Sequence, residues 1–151
     1  MLGKIQVIKR NKVKSLVVKT NCSIKELQIE LGKSYKKIRE YMNNQGAMPA
    51  GAPYVAYFNQ DMENMEIEIG IPIAMYMPDT EEIIMSEIPE GNYVRAVFTG
   101  PYNELKQAYG EMTQYMTENS LTVSHGVYES YLNDPGNTMP TKLMTEILFS
   151  I

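Results

Sequence analysis

The chain has little that reactive or metal chemistry could use: one cysteine, one histidine and no tryptophan in 151 residues. A lone Cys22 excludes an internal disulfide, and a lone His125 excludes a histidine-rich metal site. The two lie about a hundred positions apart with no local signature of a cysteine nucleophile, so a Cys-His pair is not expected. No apolar run approaches the ~20 residues that cross a bilayer. The opening MLGKIQVIKRNK has no apolar export segment, so the reading is cytoplasmic, with no membrane partner. The acidic sets Glu63/Glu66/Glu68 and Glu81/Glu82 have no nitrogen or sulfur ligands beside them and read as solvated faces. The turn-rich stretches GNTMP and GAMPAGAP fit no strand-to-helix phosphate cradle. No cofactor and no metal are expected.

What the chain does have is 11 tyrosines, 12 methionines and a sharp polarity of charge. Residues 1–42 carry a net +8 and residues 43–151 a net −12, hidden in an overall −4. A basic segment of this kind either meets an anionic partner or forms a solvated helix face and a strand edge protected by lysines. Tyrosine and methionine together supply rigid amphipathic area and soft, repackable surface, a pairing found at permissive binding sites. Those at helical spacing, Tyr35, Tyr109, Met42, Met112 and Met116, are read as core.

A weak internal repeat organises the rest. IQVIKRNKVKSLVVKT (5–20) and IMSEIPEGNYVRAVFTG (84–100) each read as two strands with a polar turn, 80 positions apart, Ile8 matching Ile88 and Val17 matching Val97. Each is followed by a helix pattern. The first opens with Ser23 and Glu26 at capping-box spacing, carries Ile24, Leu27, Leu31, Tyr35, Ile38 and Met42 on one stripe, and ends near Gly46. The second begins at Pro101 and carries Leu105, Ala108, Tyr109, Met112 and Met116. PYVAYFNQD (53–61) then matches VYESYLNDP (127–135) at an offset of 74, and MEIEIGIPI (65–73) matches LMTEILFSI (143–151) at 78. The expected fold is α+β: a tandem repeat of two ββαββ (SHS2-like) modules forming a concave, mainly antiparallel eight-stranded sheet with two helices packed on it. Residues 1–151 form one domain, with pseudo-repeats 1–73 and 83–151 joined by a linker at 74–82.

The repeat isolates one residue. Glu129 stands in a strand between two tyrosines where the first copy has Val55. Strand alternation puts Val127, Glu129 and Tyr131 on one face and Tyr128, Ser130 and Leu132 on the other. If the second set packs under the helix, the acid faces a groove between the halves, with Tyr131 beside it and Tyr57, the repeat mate of Tyr131, opposite. Glu68 and Glu146, by contrast, share a repeat position, which favours a structural role for both.

The ordered stretches IPEGNYVRAVFTGPYNEL (88–105), GVYESYLNDP (126–135) and KLMTEI (142–147) resemble the GyrI-like small-molecule-binding family, which includes effector-binding domains of multidrug-responsive transcription regulators. The resemblance covers essentially the whole chain. It implies a lipophilic, often cationic and aromatic ligand in a groove between the repeats, with Glu129 in the place of the buried glutamate that pairs with the ligand's charge. The ligand-binding residues expected are thus Glu129, Tyr131 and Tyr57. Only about four residues precede the first strand, which leaves no room for a helix-turn-helix, so direct nucleic-acid binding is not expected. A separate protein partner is compatible with a sensor role. Two alternatives come with the same family. One is hydrolysis of cyclopropanoid or other electrophilic genotoxins by Glu129 and a pocket tyrosine, and the other is an interaction with DNA gyrase through the basic segment from Lys4 to Arg39.

Overall fold

The computed structural model covers residues 1–151. Eight strands and two helices follow in the order β1 (Gln6–Arg10), β2 (Val13–Cys22), α1 (Leu27–Asn44), β3 (Tyr54–Tyr57), β4 (Met65–Pro72), β5 (Ile84–Ile88), β6 (Gly91–Thr99), α2 (Leu105–Glu118), β7 (Val127–Tyr131) and β8 (Met144–Ser150). Within each of the chain's two compact units the strand pairings are antiparallel. Neither helix is long and apolar enough to cross a membrane. This is the α+β class expected from strand alternation and two amphipathic stripes.

The chain divides into two compact units: residues 1–10 with 91–151, and residues 11–90. In the first, β1 pairs with β6, β6 with β8 and β8 with β7, and α2 completes the unit. In the second, β5 pairs with β2, β2 with β4 and β4 with β3, and α1 completes it. The opening strand of each sequence half is therefore exchanged. The two strand-turn-strand stretches are not hairpins, because their short links, Asn11-Lys12 and Pro89-Glu90, carry the chain from one unit into the other. A turn-like link looks the same in sequence whether its flanking strands pair or part.

Strand register refines the internal match. Val55 lies opposite Ile69 and Glu129 opposite Ile147, so the offsets of 74 and 78 read from the later strands agree with the ladders. The earlier strands shift by two: Val17 opposite Gly70 corresponds to Arg95 opposite Leu148, not to Val97, and Ile8 corresponds to Ser86, not to Ile88. A slip of two preserves the face of every side chain, which is why the alternation pattern could not detect it.

The exchanged strands are tied in by the repeat-related acids. Arg10 of β1 donates to Glu146 Oε1 at 2.9 Å and Arg95 of β6 donates from Nε to Oε2 at 2.6 Å, so one carboxylate spans three strands. In the other unit Ser86 of β5 donates to Glu68 Oε1 at 3.0 Å, and Lys19 lies 3.9 Å from Oε2. Both acids thus have the structural work expected of them, and two cations of the basic segment, Arg10 and Lys19, lie against them.

Each helix follows its stripe except at Ile24, which precedes α1 and is exposed. Leu27, Leu31, Tyr35, Ile38 and Met42 are buried on α1, and Ala108, Met112 and Met116 on α2. Of the expected capping box the Glu26 half forms, Ser23 N–H donating to Glu26 Oε1 at 3.1 Å, while the Ser23 hydroxyl donates to the same oxygen instead of accepting from the helix, and α1 begins at Leu27. Its end has the expected left-handed glycine, Gly46 at φ 69°, with Ala47 N–H returning to the Met42 carbonyl. Pro101 precedes a 3-10 turn, Tyr102–Glu104, and α2 starts at Leu105.

One glycine is dictated by packing. Gly70 sits opposite Tyr54, and a Cβ there would lie 2.6 Å from the ring Cζ and 2.8 Å from the hydroxyl oxygen. The ring cannot yield freely, because its hydroxyl is 2.5 Å from the buried Ser15 Oγ, and burial has pushed the phenol up to about 12. We expect Gly70→Ala to destabilise the protein by about 2 kcal/mol through overpacking, read as a lower denaturation midpoint. The neighbouring control Gly32→Ala, where nothing lies within 4 Å of the added Cβ, should hold or raise it.

Candidate functional site

Strand β7 is short, and β8 alone fixes its register in this unit: Val127 faces Phe149, Glu129 faces Ile147 and Tyr131 faces Thr145. On the other side of β8, Phe149, Ile147 and Thr145 face Val94, Ala96 and Phe98 of β6. Directly opposed residues share a sheet face, so these side chains form one surface. It is the surface that α2 covers: Val94, Ala96, Phe98, Ile147 and Phe149 form one apolar cluster with Ala108, Met112 and Met116, and Val127 and Tyr109 pack against it.

This reverses one expectation. The face carrying Val127, Glu129 and Tyr131 lies under the helix, and the face carrying Tyr128 and Ser130 does not. The assignment by alternation was correct as to which residues group together, but alternation cannot say which group meets the helix when both are apolar. Tyr128 packs instead edge-on against Tyr93 and His125, with its hydroxyl 3.1 Å from His125 Nδ1.

Glu129 is consequently a carboxyl at 6% exposure in the margin of an apolar core. Two phenols complete it. The Tyr131 hydroxyl donates to Oε1 at 2.9 Å, and the Tyr109 hydroxyl, from α2, donates to Oε2. Tyr102, from the turn before α2, meets the Tyr131 ring edge-on at 5.5 Å, and Tyr109 stacks on Phe149 at 5.9 Å. Burial raises the Glu129 pKa, and the two phenolic donors only partly offset it. Burial also raises the Tyr102 phenol, with the negative charges of Asp134 and Glu129 adding to the effect. The result is an acid held in an aromatic setting, hydrogen-bonded to neutral groups only.

Of the three residues expected at the site, Glu129 and Tyr131 are joined directly. Tyr57 is half-buried on β3 of the other unit, opposite Ile67. Sequence reasoning missed Tyr109 and Tyr102. Tyr109 was placed in the core by its helical spacing, although a buried phenol needs a partner for its hydroxyl and the nearest unexplained polar group in the repeat was Glu129. The repeat itself held the signal. In the other unit Tyr35, the mate of Tyr109, donates its hydroxyl to the Tyr54 backbone carbonyl at 2.8 Å, next to Val55. Where the first copy has valine the tyrosine meets backbone; where the second has glutamate it meets the carboxylate.

The fold has relatives. The EcmrR C-terminal domain superposes with a TM-score of 0.82 at 20% identity, over 97% of this chain and 96% of that one. In the EcmrR–DNA complex the score is 0.86 at 20% identity, and this chain spans 56% of the EcmrR chain. SAV2435, solved bound to tetraphenylphosphonium, superposes at 0.66 with 11% identity, covering 97% and 93%, and a hydrolase encoded by lin2189 from Listeria innocua at 0.69 with 16% identity, covering 97% and 90%. A search among curated proteins finds no match. At such identities these likenesses speak for the fold, but the sequence itself matches the GyrI-like small molecule binding domain over residues 4–151. The chain belongs to the GyrI-like small-molecule-binding domain family.

Proposed function

We propose that this domain binds lipophilic cationic aromatic molecules, with Glu129 as the charge partner and Tyr131, Tyr109 and Tyr102 as the aromatic surround. The observation that carries the reading is the buried carboxyl whose partners are both neutral hydroxyls. A buried carboxylate is costly unless a positive charge meets it. A delocalised cation arrives with little hydration to lose, and aromatic faces add roughly 0.5–2 kcal/mol each by cation-π attraction. Small inorganic cations have no such advantage here, because phenol rings and aliphatic chains replace hydration poorly. The tetraphenylphosphonium complex of SAV2435 is in keeping with this chemistry on the same fold. Burial favours the protonated acid in the ligand-free domain and the two phenols hydrogen-bond it; a cationic ligand takes the proton's place as the neutralising charge.

Titration of the protein with crystal violet and with its neutral leuco form tests the reading, since the two share a skeleton and differ in charge. The cation should bind at least about tenfold tighter, a difference of ~1.4 kcal/mol. Equal affinities would remove the charge-pairing role.

The same geometry supports a second reading. A carboxyl of raised pKa, hydrogen-bonded to two phenols, can act as acid or, once ionised, as base for water attacking a ring carbon, with a phenol donating to the conjugated carbonyl oxygen that takes up the electron pair as the strained C–C bond breaks. Hydrolysis of a strained cyclopropanoid electrophile would need these groups, and lin2189 is a hydrolase of the same fold. Turnover appears in a mass spectrum as ligand plus one water, whereas a binding protein returns its ligand unchanged.

A further inference from the structure

We infer that Thr145 is a second polar anchor in this site, and that the domain selects lipophilic cations carrying a hydrogen-bond acceptor near the charge. The inference rests on the reading of Glu129 given above and adds to it the class of ligand.

Thr145 is fully buried at 0% exposure, and its hydroxyl oxygen has no hydrogen-bond partner. It lies on β8 between Phe98 and Tyr131 on the face that carries Glu129. The ladder makes it the diagonal neighbour of the acid, a separation of roughly 7–8 Å. A buried hydroxyl without a partner costs stability that a valine of nearly the same shape would not. The core therefore has no use for the oxygen.

The internal repeat sharpens the point. The position matching Thr145 is Ile67, opposite Tyr57 as Thr145 is opposite Tyr131. On this face the strands of one unit carry Val55 and Ile67 where those of the other carry Glu129 and Thr145. Both apolar-to-polar differences fall on diagonal neighbours of the same sheet surface. A structural hydroxyl would be paired within the protein; one kept unpaired beside a charge-pairing acid has its partner on a ligand. Its single O–H can donate to a carbonyl or ether oxygen.

The test uses tetraphenylphosphonium, which has no hydrogen-bonding atom, and the same cation bearing a methyl ester on one ring, as its meta and para isomers. In the wild type one ester isomer should bind about fivefold tighter than the parent. In Thr145→Val that gain should vanish while affinity for the parent stays the same, and the ligand-free midpoint should rise by roughly 3 °C as the unpaired hydroxyl is removed. Thr145→Ser, which keeps the O–H, should retain the gain. If neither isomer gains, if the gain survives in Thr145→Val, or if the midpoint of that variant falls, the inference is overturned. Wild-type protein that binds none of these cations would overturn the Glu129 reading as well, whereas binding without dependence on Thr145 leaves that reading standing.

Discussion

Glu129→Gln should weaken binding of a lipophilic cation by roughly 30- to 100-fold and leave a neutral molecule of the same skeleton within about twofold. The substitution preserves shape and keeps an oxygen that can accept from a phenol, while removing the group that can carry the negative charge beside the two tyrosines. Both tyrosines that hold the acid, Tyr131 from the same strand and Tyr109 from α2, can turn their hydroxyls to either atom of an amide. Folding is therefore not at risk. The buried amide carries no ionisation cost, so the variant should melt no lower than the wild type at neutral pH. Loss of affinity with retained stability separates a charge partner from a structural acid. Glu146→Gln supplies the contrast, because that carboxylate binds Arg10 at 2.9 Å and Arg95 at 2.6 Å. Its neutralisation leaves two arginines without their acid and should lower the midpoint while sparing cation affinity at temperatures where the protein stays folded.

The second large effect is in pH. In the folded protein Glu129 has its pKa raised above the value of an unfolded chain, chiefly by burial. The protonated form is the one that the fold favours. Its contribution to stability is therefore fully present below the unfolded pKa and is lost as pH rises from there through the folded pKa. Relative to Glu129→Gln, the ligand-free wild type should lose stability across that window. A bound cation inverts the linkage, since it favours the carboxylate and drives the pKa down. Affinity should then rise with pH up to the folded pKa of the free protein and level off above it, with no such slope in Glu129→Gln. Thermal midpoints of both proteins between pH 4 and pH 8, with and without tetraphenylphosphonium, give the two slopes. A wild-type affinity independent of pH across that range would contradict the assignment of a proton to the free site.

Much of this fold was legible because its information is local. Periodicity located both helices, and the Val55/Glu129 and Glu68/Glu146 matches lie in strands whose register the ladders share. The strand exchange was not legible, since whether Asn11-Lys12 turns back or crosses over depends on partners eighty residues away. Nor was the two-residue slip of β2 against β6, because alternation is blind to even shifts. At the site, the acid was identifiable by its oddity within a repeat. Tyr109 was concealed by doing two things at once: its ring packs with the core and stacks on Phe149, while its hydroxyl serves Glu129. Thr145 was hidden for the opposite reason, as threonine is an ordinary strand residue and only its burial and missing partner set it apart.

A lipophilic cation that takes the place of a proton on Glu129 must release that proton on binding. Calorimetric titration with tetraphenylphosphonium in two buffers of different ionisation enthalpy counts the protons exchanged on binding. In the pH range from the ordinary carboxyl pKa up to the raised one, the wild type should release a substantial fraction of one proton per cation bound, falling towards zero at higher pH, and Glu129→Gln should release none. Binding that releases no proton at any pH between about 4.5 and 7, or release undiminished in the variant, would contradict the claim.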